Sequence, residues 1–214
     1  MRPVWFAALL CCPALASDYP RPERQVQANA IISQRDPKIT IKLPAFAQYV
    51  GADRWPLYDI ADCELHLFVE ATQEKKIERL YWVQFEQYLP SRPELHHTYP
   101  FTKTDTLGGL LFDVRARFGP GNETSKPGSD SEHVQALLRV KGYTLPEATM
   151  NVRLVHLLDD QKRKELMIIY AEDLQPSGFS LDDLMPGGKH ASEWPTLEAG
   201  LMRRAKAAIT LSPE

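Results

Sequence analysis

The sequence predicts an α+β domain in which an antiparallel β-sheet of about five to six strands packs against a central helix and a C-terminal helix. Residues 62–71 and 77–89 alternate apolar and polar side chains on either side of a polar turn, which predicts a long hairpin. Residues 150–158 and 163–171 predict a second one. Only two segments have helical spacing, and the repeated strand–helix–strand units typical of a parallel sheet do not occur.

Composition excludes several classes of protein. The 214 residues are 43% apolar, and 25 Lys and Arg residues stand against 28 Asp and Glu residues, for a net charge of -3. This balance is typical of a globular protein rather than a disordered, fibrous or polytopic membrane protein. We expect no nucleic-acid partner, because proteins that bind nucleic acids usually carry a basic face. A chain of this length buries roughly 70% of its unfolded surface, so it needs no disulfide framework.

The N-terminus has the three parts of a secretory signal peptide. Within residues 1–16, Arg2 precedes a short apolar run that ends in small residues. Small side chains at Ala14 and Ala16 predict cleavage between Ala16 and Ser17. The apolar run is shorter than the roughly 20 residues of a membrane-spanning helix. We therefore expect a bacterial protein that is periplasmic or secreted, with no transmembrane helix once the signal is removed.

The mature chain divides into a polar segment and one domain. Residues 17–37 are polar and contain proline, which indicates a tether or an edge strand. Residues 38–214 form the single α+β domain. Its first strand is predicted at residues 39–43, where apolar and polar side chains alternate. The aromatic and irregular segment 45–61 receives no strand in this interpretation.

The first long hairpin carries the only cysteine that remains after signal cleavage. Cys63 lies on one face of an alternating strand and has no cysteine partner, so we expect a buried and chemically inert thiol. Residues 77–89 carry apolar side chains on both faces, which indicates that other parts of the chain cover each face.

A loop, a third strand and the two helices complete the prediction. Residues 90–106 form a loop that contains proline and histidine, and residues 107–118 form a strand that opens with two glycines, a sign of a bulge or a bend. Ser129 and Glu132 have the spacing of a capping box, which predicts the start of a helix. Residues 193–209 have helical spacing and form the C-terminal helix.

The motifs of well-known enzyme classes are absent from the sequence. It contains no Gly-x-Ser-x-Gly, no phosphate-binding glycine loop, no His-Glu-x-x-His and no Cys-x-x-Cys. Catalytic groups can also assemble from distant residues, so the missing motifs favour a non-enzymatic role without excluding catalysis.

Histidine and glutamate suggest one metal site. His96 and His97 lie in the loop 90–106, and Glu132 and His133 lie at the start of the predicted central helix. Imidazole and carboxylate groups bind metal ions, and a closed site takes about four ligands from several segments. These four residues form a site if the helix start faces the loop. The alternative is that the two adjacent histidines face solvent. No other cofactor is predicted.

Aromatic residues suggest a ligand site. Tyr81, Phe85 and Phe112 are expected on one sheet face beneath a helix, and an apolar cavity there would take a small apolar or amphipathic ligand. Arg115 could bind a carboxylate or phosphate group of that ligand. The alternative is that these aromatic side chains fill an ordinary core.

Together these observations predict an exported, non-enzymatic binding module for a small apolar or amphipathic ligand. One alternative is an exported, metal-assisted enzyme built around His96 and His97. Another is a module that binds a second envelope protein through an exposed aromatic surface at Trp82 and Tyr88.

Overall fold

The computed structural model describes residues 19–213, so the predicted signal peptide and the junction between Ala16 and Ser17 lie outside the described residues. Within that range the chain forms eleven strands and three α-helices. The strands are β1 (Gln25–Gln27), β2 (Ala30–Ser33), β3 (Ile39–Lys42), β4 (Gln48–Leu57), β5 (Ala61–Ala71), β6 (Ile77–Tyr88), β7 (Thr104–Leu107), β8 (Leu110–Pro120), β9 (Ala148–Leu157), β10 (Lys164–Asp173) and β11 (Thr210–Pro213). The helices are α1 (Asp130–Val140), α2 (Leu181–Leu184) and α3 (Trp194–Ala208).

The strands form two sheets whose neighbouring strands are antiparallel. The large sheet has the order β4-β5-β6-β10-β9-β8-β7, and the small sheet has the order β1-β2-β3-β11. This confirms the predicted α+β class with an antiparallel sheet. The two predicted long hairpins are β5–β6 and β9–β10, and they join through the pairing of β6 with β10.

The predicted number of strands, five to six in one sheet, was too low. Four of the additional strands, β1, β2, β7 and β11, have only three or four residues, and none repeats the apolar–polar pair twice as the equally short β3 does. The first two of these lie in segment 17–37. Strand β4 was missed because a bulge between Tyr49 and Gly51 breaks its alternation and because it contains Pro56. It lies at the edge of the large sheet, where a proline is tolerated.

The turn between β7 and β8 depends on its two glycines. Gly108 and Gly109 have φ values of +57° and +82°, and the flanking residues Leu107 and Leu110 pair with each other. This is the left-handed geometry of a two-residue hairpin turn. A Cβ atom on Gly108 would lie 2.5 Å from Cβ of Leu211, so no larger residue fits. The glycine pair therefore makes a tight bend.

Both faces of the large sheet are covered. One face packs against the small sheet and α3 in a hydrophobic cluster. Ile41 of β3 and Leu201 of α3 contribute buried side chains to this cluster. The other face packs against α1 through Val134 and Leu138. This layering accounts for the apolar side chains on both faces of β6.

The helix α1 begins where the sequence predicts it. Ser129 is the N-cap, and its hydroxyl accepts a hydrogen bond from the backbone N–H of Glu132 at 3.4 Å. The Glu132 carboxylate accepts from the backbone N–H of Gly128 at 2.6 Å, one residue before the partner that a capping box requires. Across the described part of the chain, no helix combines the length and apolar character needed to cross a membrane.

Candidate functional site

Three neighbouring strands bring a thiol and two carboxylates together on the α1 face of the large sheet. Cys63 of β5 pairs with Glu86 of β6, and Glu86 pairs with Glu165 of β10. Cys63 is fully buried and Glu165 is 2% exposed. The Cys63 thiol donates a hydrogen bond to Oε2 of Glu86 at 3.4 Å. Strand pairing therefore places these three groups in one row across the sheet.

His97 and Asp130 complete this group, which we call the polar cluster (Cys63, Glu86, His97, Asp130 and Glu165). His97 comes from the loop between β6 and β7, and Asp130 is the first residue of α1. The potential ligand atoms of Glu86, His97 and Glu165 lie within 4.8 Å of one another. The same limit holds for the second group of Cys63, Glu86 and Asp130. Glu86 belongs to both groups and so joins them.

The loop that carries His97 is held by Arg163, which precedes β10. The guanidinium group of Arg163 donates hydrogen bonds to five backbone carbonyl oxygens, those of Tyr88, Leu89, Arg92, Pro93 and Leu95. The backbone N–H of His97 donates to the carbonyl of Lys162 at 2.7 Å. The His97 ring packs near Tyr88 and Tyr99, with centroid distances of 4.6 and 5.9 Å. These contacts fix His97 over the sheet.

Burial controls the protonation of the polar cluster. It raises the pKa of Glu86 to about 7, with a further contribution from the Asp130 carboxylate. It raises the pKa of Glu165 to about 8, to which the charge of Glu86 adds. Burial lowers the pKa of His97 to about 4, so its imidazole is neutral at neutral pH. The guanidinium of Arg153 partly offsets the raised pKa values of both glutamates.

Several buried polar atoms of the cluster have no hydrogen-bond partner in the described structure. They are Nε2 of His97, Oδ1 of Asp130 and Oε2 of Glu165. Nδ1 of His97 lies 3.1 Å from Oε2 of Glu165 without making a hydrogen bond to it. Buried polar atoms are normally paired, because an unpaired one costs about 1–3 kcal/mol. Glu165 also hydrogen-bonds to Tyr99, and Asp130 to Gln84, so among the described residues only these three atoms of the cluster are left to contact a bound group.

A groove of about 520 Å³ lies on the same face of the large sheet, between the sheet and α1. Its apolar floor comes from Leu80 and Trp82 of β6 and from Ile169 and Ala171 of β10. Polar residues also line it, among them Ser125, Ser129, Ser131, Gln135, Thr149 and Asn151.

Hydrogen bonds connect this groove to the polar cluster. Nε1 of Trp82 donates to Oε1 of Gln84 at 2.9 Å, and Nε2 of Gln84 donates to Oε2 of Glu86 at 3.2 Å. These residues are two positions apart on β6, so their side chains point to the same face. The groove floor and the polar cluster therefore belong to one continuous surface of the sheet.

The four residues predicted as a metal site do not form one group of ligand atoms within residues 19–213. His97 joins the polar cluster, but His96 is exposed and its Nδ1 lies 3.4 Å from the carbonyl of Glu94. Glu132 accepts the helix-capping hydrogen bond described above. His133 pairs with Asp53 at 2.7 Å and its ring stacks on Trp55.

The predicted ligand residues lie on two faces of the sheet. Tyr81, Phe85 and Phe112 share the hydrophobic cluster on the α3 face, where Phe112 is fully buried. The guanidinium of Arg24 lies 3.6 Å from the centroid of the Phe85 ring. Arg115 is three residues from Phe112 on β8, so it points to the opposite face, where it pairs with Asp113 at 3.2 Å.

The two aromatic residues expected on an exposed surface are covered. Trp82 is 9% exposed and packs in the same cluster as Val134 and Leu138 of α1. Tyr88 is half-buried against His97.

Sequence reasoning missed Glu86, Asp130 and Glu165 as members of one site. The sequence contained only a weak indication that these carboxylates are buried. Glu165 directly precedes the apolar run Leu166–Ile169, and Glu86 lies in a strand that is apolar on both faces. A carboxylate in such a position is often paired or functional, but the pairing of β6 with β10 is not visible in the sequence.

The fold and this site define the chain as an α+β protein with a buried, acid-rich polar cluster beside an open groove. Comparisons with models of protein families, with curated proteins and with solved structures found no match to the chain.

Proposed function

We propose that the chain is a non-enzymatic binding protein for a small amphipathic molecule, held in the groove between the large sheet and α1. The observation that carries this proposal is the groove itself. Its volume of about 520 Å³ lies within the range of roughly 300–1,000 Å³ that is usual for ligand pockets. The α3 face is a weaker candidate because the aromatic side chains there pack into a filled core.

The lining of the groove supports an amphipathic ligand rather than a purely apolar one. The floor formed by Leu80, Trp82, Ile169 and Ala171 offers apolar contact. The hydroxyl of Ser125 also lines the groove, and it is buried without a hydrogen-bond partner. A polar group on the ligand would satisfy this hydroxyl, while the ligand's apolar part covers the floor.

Filling the groove is expected to weaken binding. Ala171→Leu adds apolar volume to the floor, so we expect at least about 10-fold weaker binding of an anilinonaphthalene sulfonate dye, an amphipathic probe. Dye fluorescence and the intrinsic tryptophan fluorescence of the chain, to which Trp82 contributes, would both follow the titration.

A matched control separates the groove from general surface adhesion. Phe46 is 67% exposed and is not among the groove residues, so Phe46→Ser should leave dye affinity unchanged. The proposal is wrong if Ala171→Leu binds the dye as tightly as the unaltered chain. It is also wrong if Phe46→Ser alone abolishes dye binding.

Export to the bacterial periplasm or medium is part of the same proposal and is supported by the signal pattern in residues 1–16. We expect the denatured intact mass of the protein, purified from an exporting host, to match a chain that begins at Ser17. A mass that still includes Met1 would contradict the proposed export. Extra mass in the native spectrum that disappears on denaturation would identify the ligand carried from the host.

A further inference from the structure

We propose that the polar cluster binds one divalent transition-metal ion, held by the carboxylates of Glu86 and Glu165 and the imidazole of His97. This site is separate from the ligand groove and from the four-residue metal site that the sequence predicts. The potential ligand atoms of the three residues lie within 4.8 Å of one another. Donors that each lie about 2.0–2.2 Å from one ion are at most about 4.4 Å apart, so the three side chains would draw slightly together around it.

A buried carboxylate oxygen lies beside the imidazole ring at this place. His97 is 5% exposed and Glu165 is 2% exposed, and Nδ1 of His97 lies 3.1 Å from Oε2 of Glu165, an oxygen that has no hydrogen-bond partner in the described structure. A metal ion accepts electron pairs from both kinds of atom. The contacts from Arg163, Tyr88 and Tyr99 hold the His97 ring in place before any ion arrives. Preorganisation of this kind is what a metal site requires.

The donor types indicate which ions fit. Magnesium and calcium prefer sites made entirely of oxygen, whereas an imidazole with carboxylates suits zinc and other first-row transition metals. Cys63 and Asp130 share Glu86 with this group and are the nearest source of a fourth ligand. Zinc sites commonly have four ligands from histidine, cysteine and acidic residues. Zinc is therefore the first ion to test.

The experiment is a calorimetric titration of the purified chain with Zn²⁺ after treatment with a chelator. We expect one Zn²⁺ per chain and no comparable binding of Mg²⁺. Glu165→Gln and His97→Gln should each weaken Zn²⁺ binding by more than about 100-fold, because each removes a ligand rather than a hydrogen-bond partner of a ligand, whose loss costs about 10–100-fold. His96→Gln alters the exposed neighbour and should leave affinity unchanged.

Two further variants and a second ion make the outcome decisive. Glu132→Gln and His133→Gln should retain zinc, whereas loss of zinc from both variants would favour the four-residue site predicted from the sequence. Glu165→Gln keeps the shape of the side chain at its buried position, so the metal-free variant should remain folded by circular dichroism. Visible absorption of Co²⁺ bound to the unaltered chain reports low-symmetry coordination without any substitution.

The proposal is overturned if the unaltered chain binds neither Zn²⁺ nor Co²⁺, or if both ligand variants bind Zn²⁺ as tightly as His96→Gln. Dye binding in the groove is measured separately in the same samples. A chain that binds the dye but no metal would contradict only the metal site, and a chain that binds metal but no dye would contradict only the proposed ligand function.

Discussion

Replacing Glu64 by glutamine is expected to lower the free energy of unfolding by about 3 kcal/mol at neutral pH, the size of loss that follows when one partner of a buried ion pair is removed. Glu64 is 3% exposed, and its Oε2 lies 3.0 Å from Nη1 of Arg24. Its Oε1 accepts the backbone N–H of Arg24 at 2.8 Å and lies 2.9 Å from Nε2 of His66. The Arg24 side chain is only 12% exposed, so the substitution leaves a buried guanidinium without its counter-charge.

The effect of Glu64→Gln should depend on pH in a defined direction. Burial by itself would raise the pKa of Glu64, but the hydrogen bond with His66 and the charge of Arg24 outweigh it and lower the pKa from 4.5 to about 2. Because the folded-state pKa is below the unfolded value, the ionised carboxylate stabilises the fold above pH 4.5. That contribution is lost as the pH falls from 4.5 towards 2.

Unfolding of both proteins at neutral pH and near pH 3, by denaturant for the free energy and by heat for Tm, measures this difference. At about 2–4 °C per kcal/mol for a chain of this size, Tm should fall by roughly 10 °C at neutral pH and by less in acid. Glu94→Gln removes one partner of an exposed ion pair with Arg92, which solvent screens, so it should leave stability nearly unchanged at both pH values. An equal loss of stability at both pH values would contradict the role assigned to the Glu64 charge.

Arg163→Ala is expected to release the loop that carries His97 and to destabilise the fold by at least about 3 kcal/mol. A hydrogen bond that involves a charged group contributes about 1.5–3 kcal/mol. The guanidinium of Arg163 makes five of them to backbone carbonyls from Tyr88, the last residue of β6, to Leu95. These contributions do not simply add, because neighbouring bonds share one side chain. Lysine has three donors on a single nitrogen, so Arg163→Lys should recover only part of the loss.

Hydrogen exchange separates loop release from general destabilisation. The backbone N–H of His97 donates to the Lys162 carbonyl. Arg163→Ala should accelerate its exchange, relative to the unaltered chain, more than it accelerates the exchange of amides in the centre of β10. Lys162→Ala is the matched control, since its side chain is exposed and its backbone carbonyl is retained. Uniform acceleration over the whole sheet, or unchanged exchange at His97, would show that Arg163 does not anchor this loop.

Local patterns in the sequence were sufficient for the longest elements. Alternation over ten or more residues identified the hairpin β5–β6, a polar turn between two long apolar-rich segments identified β9–β10, and the capping serine Ser129 identified the start of α1. Strand β4 was missed because its bulge and Pro56 interrupt the alternation. In the small sheet only β3 was predicted, and its three short partners β1, β2 and β11 were missed. Long elements repeat their signal over many residues, whereas short elements depend on contacts made after the chain has folded.

The candidate site could not be predicted from local patterns in the sequence. Its residues come from five separate elements, namely β5, β6, the following loop, α1 and β10. Periodicity in the sequence shows which side chains share a face of one strand, and it anticipated a buried Cys63. It does not show which strands are neighbours. The pairing of β6 with β10 was set by tertiary packing, and only that pairing brings Glu86 beside Glu165, with His97 and Asp130 closing over them.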